Sequence, residues 1–288
     1  MKRLLVKMGL LFAVLPLSLC AQKAAFNETI TKEVVFVQQS TENTLILKNI
    51  FGSITVEGYD GDTVILVADK TIKARTQEDL ELGKKELQLK IMNEGNEIIV
   101  HPDAPYIEFN RQGLKFDWCG DNYEEPKYKH QMDFKLKVPK NIRLDLGTVN
   151  DGEILVQNMR GNFLKVGNIN GGIELNDVTG VTDLNCINGD VSITYVDNPK
   201  KSSTYYSLNG DINISFQKDL SANVSFKTMN GELYTDFDVE RQFMDTEKTN
   251  ERDKARFKYE VTPKLQIGSG AIALDFETLN GNVFIKKI

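Results

Sequence analysis

The sequence predicts an all-β, single-domain β-solenoid with about 18–21 residues per rung, and three observations predict it. An Asn-Gly pair recurs at Gly171, Gly189, Gly210, Gly231 and Gly281, with a degenerate copy at Gly152 and a further fit at Gly52. Apolar residues stand at fixed offsets from these glycines, and a second turn signal, at Gly161 and Gly180, falls about halfway round the repeat. From Gly152 the steps are 19, 18, 21, 21 and 50 residues. Such a period marks units that bury their apolar faces only by stacking on one another.

The columns follow from that stacking. Two after the glycine stand Ile154, Ile173, Val191, Ile212, Leu233 and Val283; four after stand Val156, Leu175, Ile193, Ile214 and Ile285, with Thr235 the exception. A period of two points both columns inward. Six after, Tyr195, Phe216 and Phe237 form an expected aromatic stack, and five before, Val166, Leu184, Tyr205, Phe226 and Phe276 form the opposite wall. The Asn-Gly itself reads as a corner, because a coil turning sharply needs the positive φ that Gly and Asn tolerate. Asn170, Asn188, Asn209, Asn230 and Asn280 are spaced to hydrogen-bond from rung to rung as a ladder. The competing reading is a ligand site repeated along the chain.

The amino-terminal half is less regular. Residues 45–73 fit the same template, Thr76 caps a short helix near residues 76–85, and 85–102 reads as two strands joined at Asn93 to Asn96. Residues 106–130 form an irregular aromatic loop. After Phe237 a charged insertion, 238–264, interrupts the rungs before residues 272–288 complete the last one. Lys2, Arg3 and Lys7 precede an apolar run from Met8 to Leu19, so residues 1–21 read as an export signal and 22–288 as the solenoid domain. Cleavage after Ala21 is the expectation, and lipidation at Cys20 the alternative. The run falls short of the ~20 apolar residues of a membrane span, and no later stretch reaches that length. A net charge of -6 supplies no general basic surface for nucleic acid.

The chemistry-bearing residues are few. Glu153, Asp190, Asp211 and Glu232, one after the glycine, make an outward acidic column. Paired acids serve glycoside cleavage, but such pairs need unequal environments in a cleft, whereas evenly stacked acids suit a solvated face. His101 and His130 have no partner at metal-ligand spacing. Cys186 shares a column of small residues with Asn168, Ser207, Thr228 and Thr278 and reads as packing; Cys119 lies in the aromatic loop. No cofactor or metal is expected. Trp118, Phe116, Tyr123 and Tyr128, with Phe109 and Tyr106, are either the binding residues of an exposed aromatic surface or a cap over the solenoid.

Three stretches carry a resemblance: "HQMDFKLKVPKNIRLDLGTVNDGEI", "VNDGEILVQNMRGNFLKVGNINGGIEL" and "DFETLNGNVFIKK". Together they resemble a bacterial family of exported "putative adhesins", a domain of unknown function with a β-solenoid fold, over about Ile50 to Ile288. The resemblance implies architecture and brings no catalytic residues. The expectation is an exported, non-enzymatic protein of the periplasm or outer-membrane surface that binds an envelope protein or glycan through 106–130 and 238–264. A carbohydrate-active lyase or hydrolase, or a purely structural scaffold, is the alternative.

Overall fold

The computed structural model describes residues 24–117, 125–242 and 264–288. The amino-terminal part contributes β1 (Ala24–Val35), β2 (Thr44–Lys48), β3 (Ile54–Tyr59), β4 (Thr63–Ala74), helix α1 (Gln77–Glu86), β5 (Gln88–Glu94) and β6 (Glu97–Asp103). A small hairpin of β7 (Glu108–Asn110) and β8 (Lys115–Asp117) leads towards β9 (Tyr128–Pro139). Paired strands then follow: β10 (Arg143–Thr148) and β11 (Ile154–Gln157), β12 (Phe163–Asn170) and β13 (Ile173–Val178), β14 (Val181–Asn188) and β15 (Val191–Tyr195). Next come β16 (Ser203–Asn209) and β17 (Ile212–Phe216), and β18 (Ala222–Lys227) and β19 (Leu233–Thr235). An antiparallel pair, β20 (Val239–Gln242) and β21 (Lys264–Ile267), precedes the last two strands, β22 (Ile272–Asn280) and β23 (Val283–Lys287).

The fold is the β-solenoid that the repeat predicts. The first strand of each pair joins an 11-stranded sheet and the second a 10-stranded sheet, with parallel pairing through the body of both. Registers match the columns: Ile154 lies beside Ile54 and Ile173, and Leu184 beside Val166 and Tyr205. These inward side chains are buried, each contributing about 1.5–3 kcal/mol. Two aromatic pairs fill the wider rungs, Tyr195 on Phe216 at 5.1 Å and Tyr205 on Phe276 at 4.8 Å. The expected stack of Tyr195, Phe216 and Phe237 stops at two rings, because the strand beside Phe216 carries Lys287 at that position. Its ammonium lies 5.5 Å from the centre of Phe237 instead.

The order of rungs departs from the order of the chain at both ends. β22 lies between β16 and β18, and β23 between β17 and β19, so the last rung in sequence is the penultimate rung in space. At the other end β2 is flanked by β6 and β10, and β3 by β9 and β11, so a rung made of β6 and β9 lies beyond the one expected to begin the solenoid. Antiparallel strands close three of the four sheet ends: β4 then β1, β5, and β21 then β20. β1 is not among the elements that the sequence predicts. Thr76 caps α1 by accepting the Asp79 amide at 3.1 Å, as its sequence implies.

The glycine column has a stronger reason than turn geometry. A Cβ on Gly171, Gly189, Gly210, Gly281 or Gly231 would collide with the carbonyl oxygen of the preceding glycine in the stack. Gly189 and Gly231 have no positive φ, so close approach is what unites the column. Three residues earlier, the small residues are donors to those carbonyls. The Asn168 amide reaches Gly152 and Gly172 at 3.0 and 3.1 Å, Ser207 reaches Gly189 at 3.3 Å, and Thr278 reaches Gly281 at 2.9 Å. Cys186 does the same with its thiol, at 3.2 Å from the Gly189 oxygen. Burial pushes that thiol up to about 11, which leaves it protonated and suits packing rather than nucleophilic attack.

Candidate functional site

The described aromatic residues of the loop are buried or half-buried and are not the exposed surface that one reading of the sequence expected. Tyr128 is 3% exposed and donates its hydroxyl to Glu86 at 3.0 Å, so it belongs to the core beneath α1 and not to a binding surface. Phe116 is half-buried, edge-on to Phe109 at 5.5 Å, and Phe109 stacks on His101 at 4.1 Å. Since Val100 faces the core beside Leu47, His101 faces outward, and the β7–β8 hairpin covers it on the flank of the sheet. Trp118, Cys119 and Tyr123 lie outside the described residues. His130 is packed among Phe51, Tyr106 and Tyr128, and burial holds its pKa down to about 4. Among the described residues no group of His, Cys, Asp and Glu could hold a metal ion.

The Asn-Gly corner forms a continuous edge. Asn170 donates to Asn150 at 2.7 Å, Asn188 to Asn170 at 2.8 Å, Asn209 to Asn188 at 2.9 Å, Asn280 to Asn209 at 2.8 Å and Asn230 to Asn280 at 2.8 Å. Beside this ladder two acids of the outward column cap backbone. Asp190 accepts the Asp211 amide at 2.9 Å, and Asp211 accepts that of Asn282 at 2.7 Å. One residue before each ladder asparagine stands an apolar side chain, in spatial order Val149, Ile169, Ile187, Leu208, Leu279 and Met229. The sequence reading missed this ridge, although its fixed offset from the glycine was visible.

Ladder, ridge and acid column all terminate on the β18–β19 rung. With no rung beyond it among the described residues, Met229 is 75% exposed, against 41% for Ile169 earlier in the ridge. Tyr234 is 47% exposed, its ring stacked on Phe284 at 5.1 Å and 8° and its hydroxyl donated to Glu232 at 2.5 Å. β20, with exposed Val239, lies at the same end, and from it begins the charged insertion, of which 243–263 are outside the described residues. The arrangement offers apolar and aromatic surface ringed by carboxylates.

The repeated corner and its glycine column coincide with a family pattern: residues 139–275 match the model of Toastrack, a domain of unknown function. Over that stretch the chain is similar to Toastrack. The Toastrack match takes in the rungs from β10 to β19, and the rungs of β2, β3, β6 and β9 repeat its geometry outside the match. Several solved structures are similar. One is a "putative cell adhesion protein" from Clostridium sporogenes, at 12% identity over 91% of this chain and 100% of that one, with a TM-score of 0.44. Another is a "putative adhesin" from Bacteroides fragilis, at 11% identity over 91% and 97%, with a TM-score of 0.33. A "putative lipid binding protein" from Parabacteroides distasonis has 10% identity over 90% and 96%, with a TM-score of 0.26. At those scores the likenesses carry no argument about function. No curated protein matches the chain. Among the described residues no helix is long and apolar enough to cross a membrane.

Proposed function

We propose that the chain is an exported binding protein of the bacterial cell envelope, without catalytic activity, that recognises a protein or glycan through the carboxy-terminal end of its solenoid and the adjoining 238–264 segment. The observation that carries this reading is the exposure of Met229, Tyr234 and Val239 together at one end of an otherwise well-closed stack. Contiguous exposed apolar groups rimmed by polar ones mark interaction surfaces. The non-enzymatic part is supported by the acids themselves, since Asp190 and Asp211 are engaged in capping backbone amides. Export is supported by the charged and apolar character of residues 2–19.

The test is a screen of the mature protein, residues 22–288, against a glycan array and solubilised envelope proteins, beside Met229→Asp and Tyr234→Ala. The reading expects saturable binding that both substitutions weaken by about tenfold or more. Turnover of a sugar, or binding indifferent to both substitutions, contradicts it.

A further inference from the structure

The open end is chemically specific, because along β19 and the Asn-Gly corner it repeats, unsatisfied, the interactions that join one rung to the next, whereas the edge of β18 is covered by β21. On its inner side β19 is paired: Val283 N donates to Glu232 O at 2.9 Å and Asp236 N to Ile285 O at 3.1 Å. Alternate residues of a strand turn their amide and carbonyl to opposite sides, so those of Leu233 and Thr235 face away from β23. Among the described residues nothing pairs with them. In the interior the equivalent groups are used, as when Val191 N donates to Asp211 O at 2.9 Å and Ile212 N to Asn282 O at 2.9 Å.

Charge separates this edge from the other three. β1 carries Glu28, Lys32 and Glu33, β5 carries Lys90 and Glu94, and β20 carries Glu240 and Arg241, the kind of residues that deter strand pairing. β19 is Leu-Tyr-Thr. We propose that its free edge is a docking edge for an extended strand of a partner protein bearing this chain's own rung signature, Asn-Gly followed by apolar residues two and four positions on. The inference rests on the binding role proposed above and names the chemistry of the partner.

The occupant is read from what covers the same edge elsewhere in the stack. On each interior rung an asparagine amide donates to the asparagine before it, and Asn230, which donates to Asn280, leaves its own Oδ1 as the accepting end. Each glycine carbonyl lies where only another glycine fits, so the residue over Gly231 must also be glycine. Adjacency in the chain is unnecessary, for β23 enters its place across 50 residues from the rung it supports. Exposed Glu232 and Asp236 flank the edge and favour a strand with lysines after its apolar residues, as in β23, where the Lys287 amide reaches Asp236. This is strand addition to a sheet edge, with specificity set by side chains on alternate positions.

The experiment uses the mature protein and a fluorescent synthetic peptide with the sequence of residues 275–288, followed by anisotropy. The proposal expects saturable binding, weakened by about tenfold or more when the peptide carries Asn280→Ala and Gly281→Val. In the protein, Thr235→Pro removes an amide hydrogen that the fold does not use, and Tyr234→Lys places a charge on the edge. Each must retain the wild-type circular dichroism spectrum and lose peptide binding by a similar factor. Absence of saturable binding, equal binding of the altered peptide, or indifference to both substitutions overturns the proposal. So does a dimer of the protein alone that excludes the peptide and that Tyr234→Lys dissolves, since the occupant is then a second copy. If the peptide fails while an envelope glycan or protein still binds in the screen, only the strand inference falls; loss of both removes the binding role as well.

Discussion

The Asn280 side chain donates to Asn209 at 2.8 Å although 71 residues separate them, and Asn230 donates in turn to Asn280. A rung that is last in sequence thus lies between two earlier ones, and the ladder runs through it without a break.

The ladder is exposed and its bonds are neutral, so each link is weak. Asn209→Ala removes two links, to Asn188 and from Asn280, and is expected to cost about 1 kcal/mol. Asn168→Ala strips the Gly152 and Gly172 carbonyls of a donor beneath the corner, and is expected to cost about 2 kcal/mol. Urea denaturation of the two variants checks the order.

Two glycines provide a matched contrast. Gly210→Ala drives a methyl into the Gly189 carbonyl and is expected to destabilise by more than about 3 kcal/mol. Gly167→Ala meets only the Asn185 oxygen, at 3.8 Å, and is expected to change stability by less than about 1 kcal/mol in either direction. Equal melting temperatures for the two variants contradict the close-approach account.

Tyr195→Phe tests a polar cluster inside the core. The Tyr195 hydroxyl donates to Thr182 at 2.6 Å and meets that of Tyr205 at 2.8 Å, and all three groups are buried. Burial pushes the Tyr195 hydroxyl up to about 12, so the cluster stays neutral at physiological pH. Removing the hydroxyl takes a hydrogen bond from each of two buried partners, at an expected cost of about 1–3 kcal/mol. A variant as stable as wild type, by urea midpoint, counts against the cluster's contribution.

The pH dependence has a definite sign. His130 is held neutral down to about 4 by burial, while in the unfolded chain it takes a proton near pH 6.5. Its contribution is therefore complete above about pH 6.5 and is lost as pH falls towards 4. His101 is shifted the same way by burial, so the wild type minus His130→Gln difference isolates one residue. The urea midpoint of wild type should fall more steeply between those pH values than that of His130→Gln.

The columns were legible in the sequence because parallel, in-register stacking keeps every residue at its offset from the glycine, from Ile154 to Val283. The order of rungs was not, since each Asn-Gly strand offers the same edge to every other. Sequence order places Leu279 at the open end, and the structure places Met229 there. The candidate site was therefore hidden for the same reason that the fold was plain. Tyr128 was misread on composition, because an aromatic residue in an irregular segment carries no sign of the helix that covers it. The glycine column gave its own position correctly but not its cause, for a carbonyl pressed against Gly189 leaves no trace in the sequence of that rung.

The central claim, that β23 separates β17 from β19 and leaves β19 open, is tested most directly by cysteine cross-linking in a Cys119→Ser background. Asn213 lies beside Phe284, and Phe284 beside Tyr234, on the outer face of the sheet. Neighbouring strands lie ~4.8 Å apart, within disulfide range, whereas strands two apart do not. Asn213→Cys with Phe284→Cys should form a disulfide under mild oxidation, and Asn213→Cys with Tyr234→Cys should remain reduced. A disulfide in the second pair and none in the first would mean that the rungs stack in chain order and that the open edge described here does not exist.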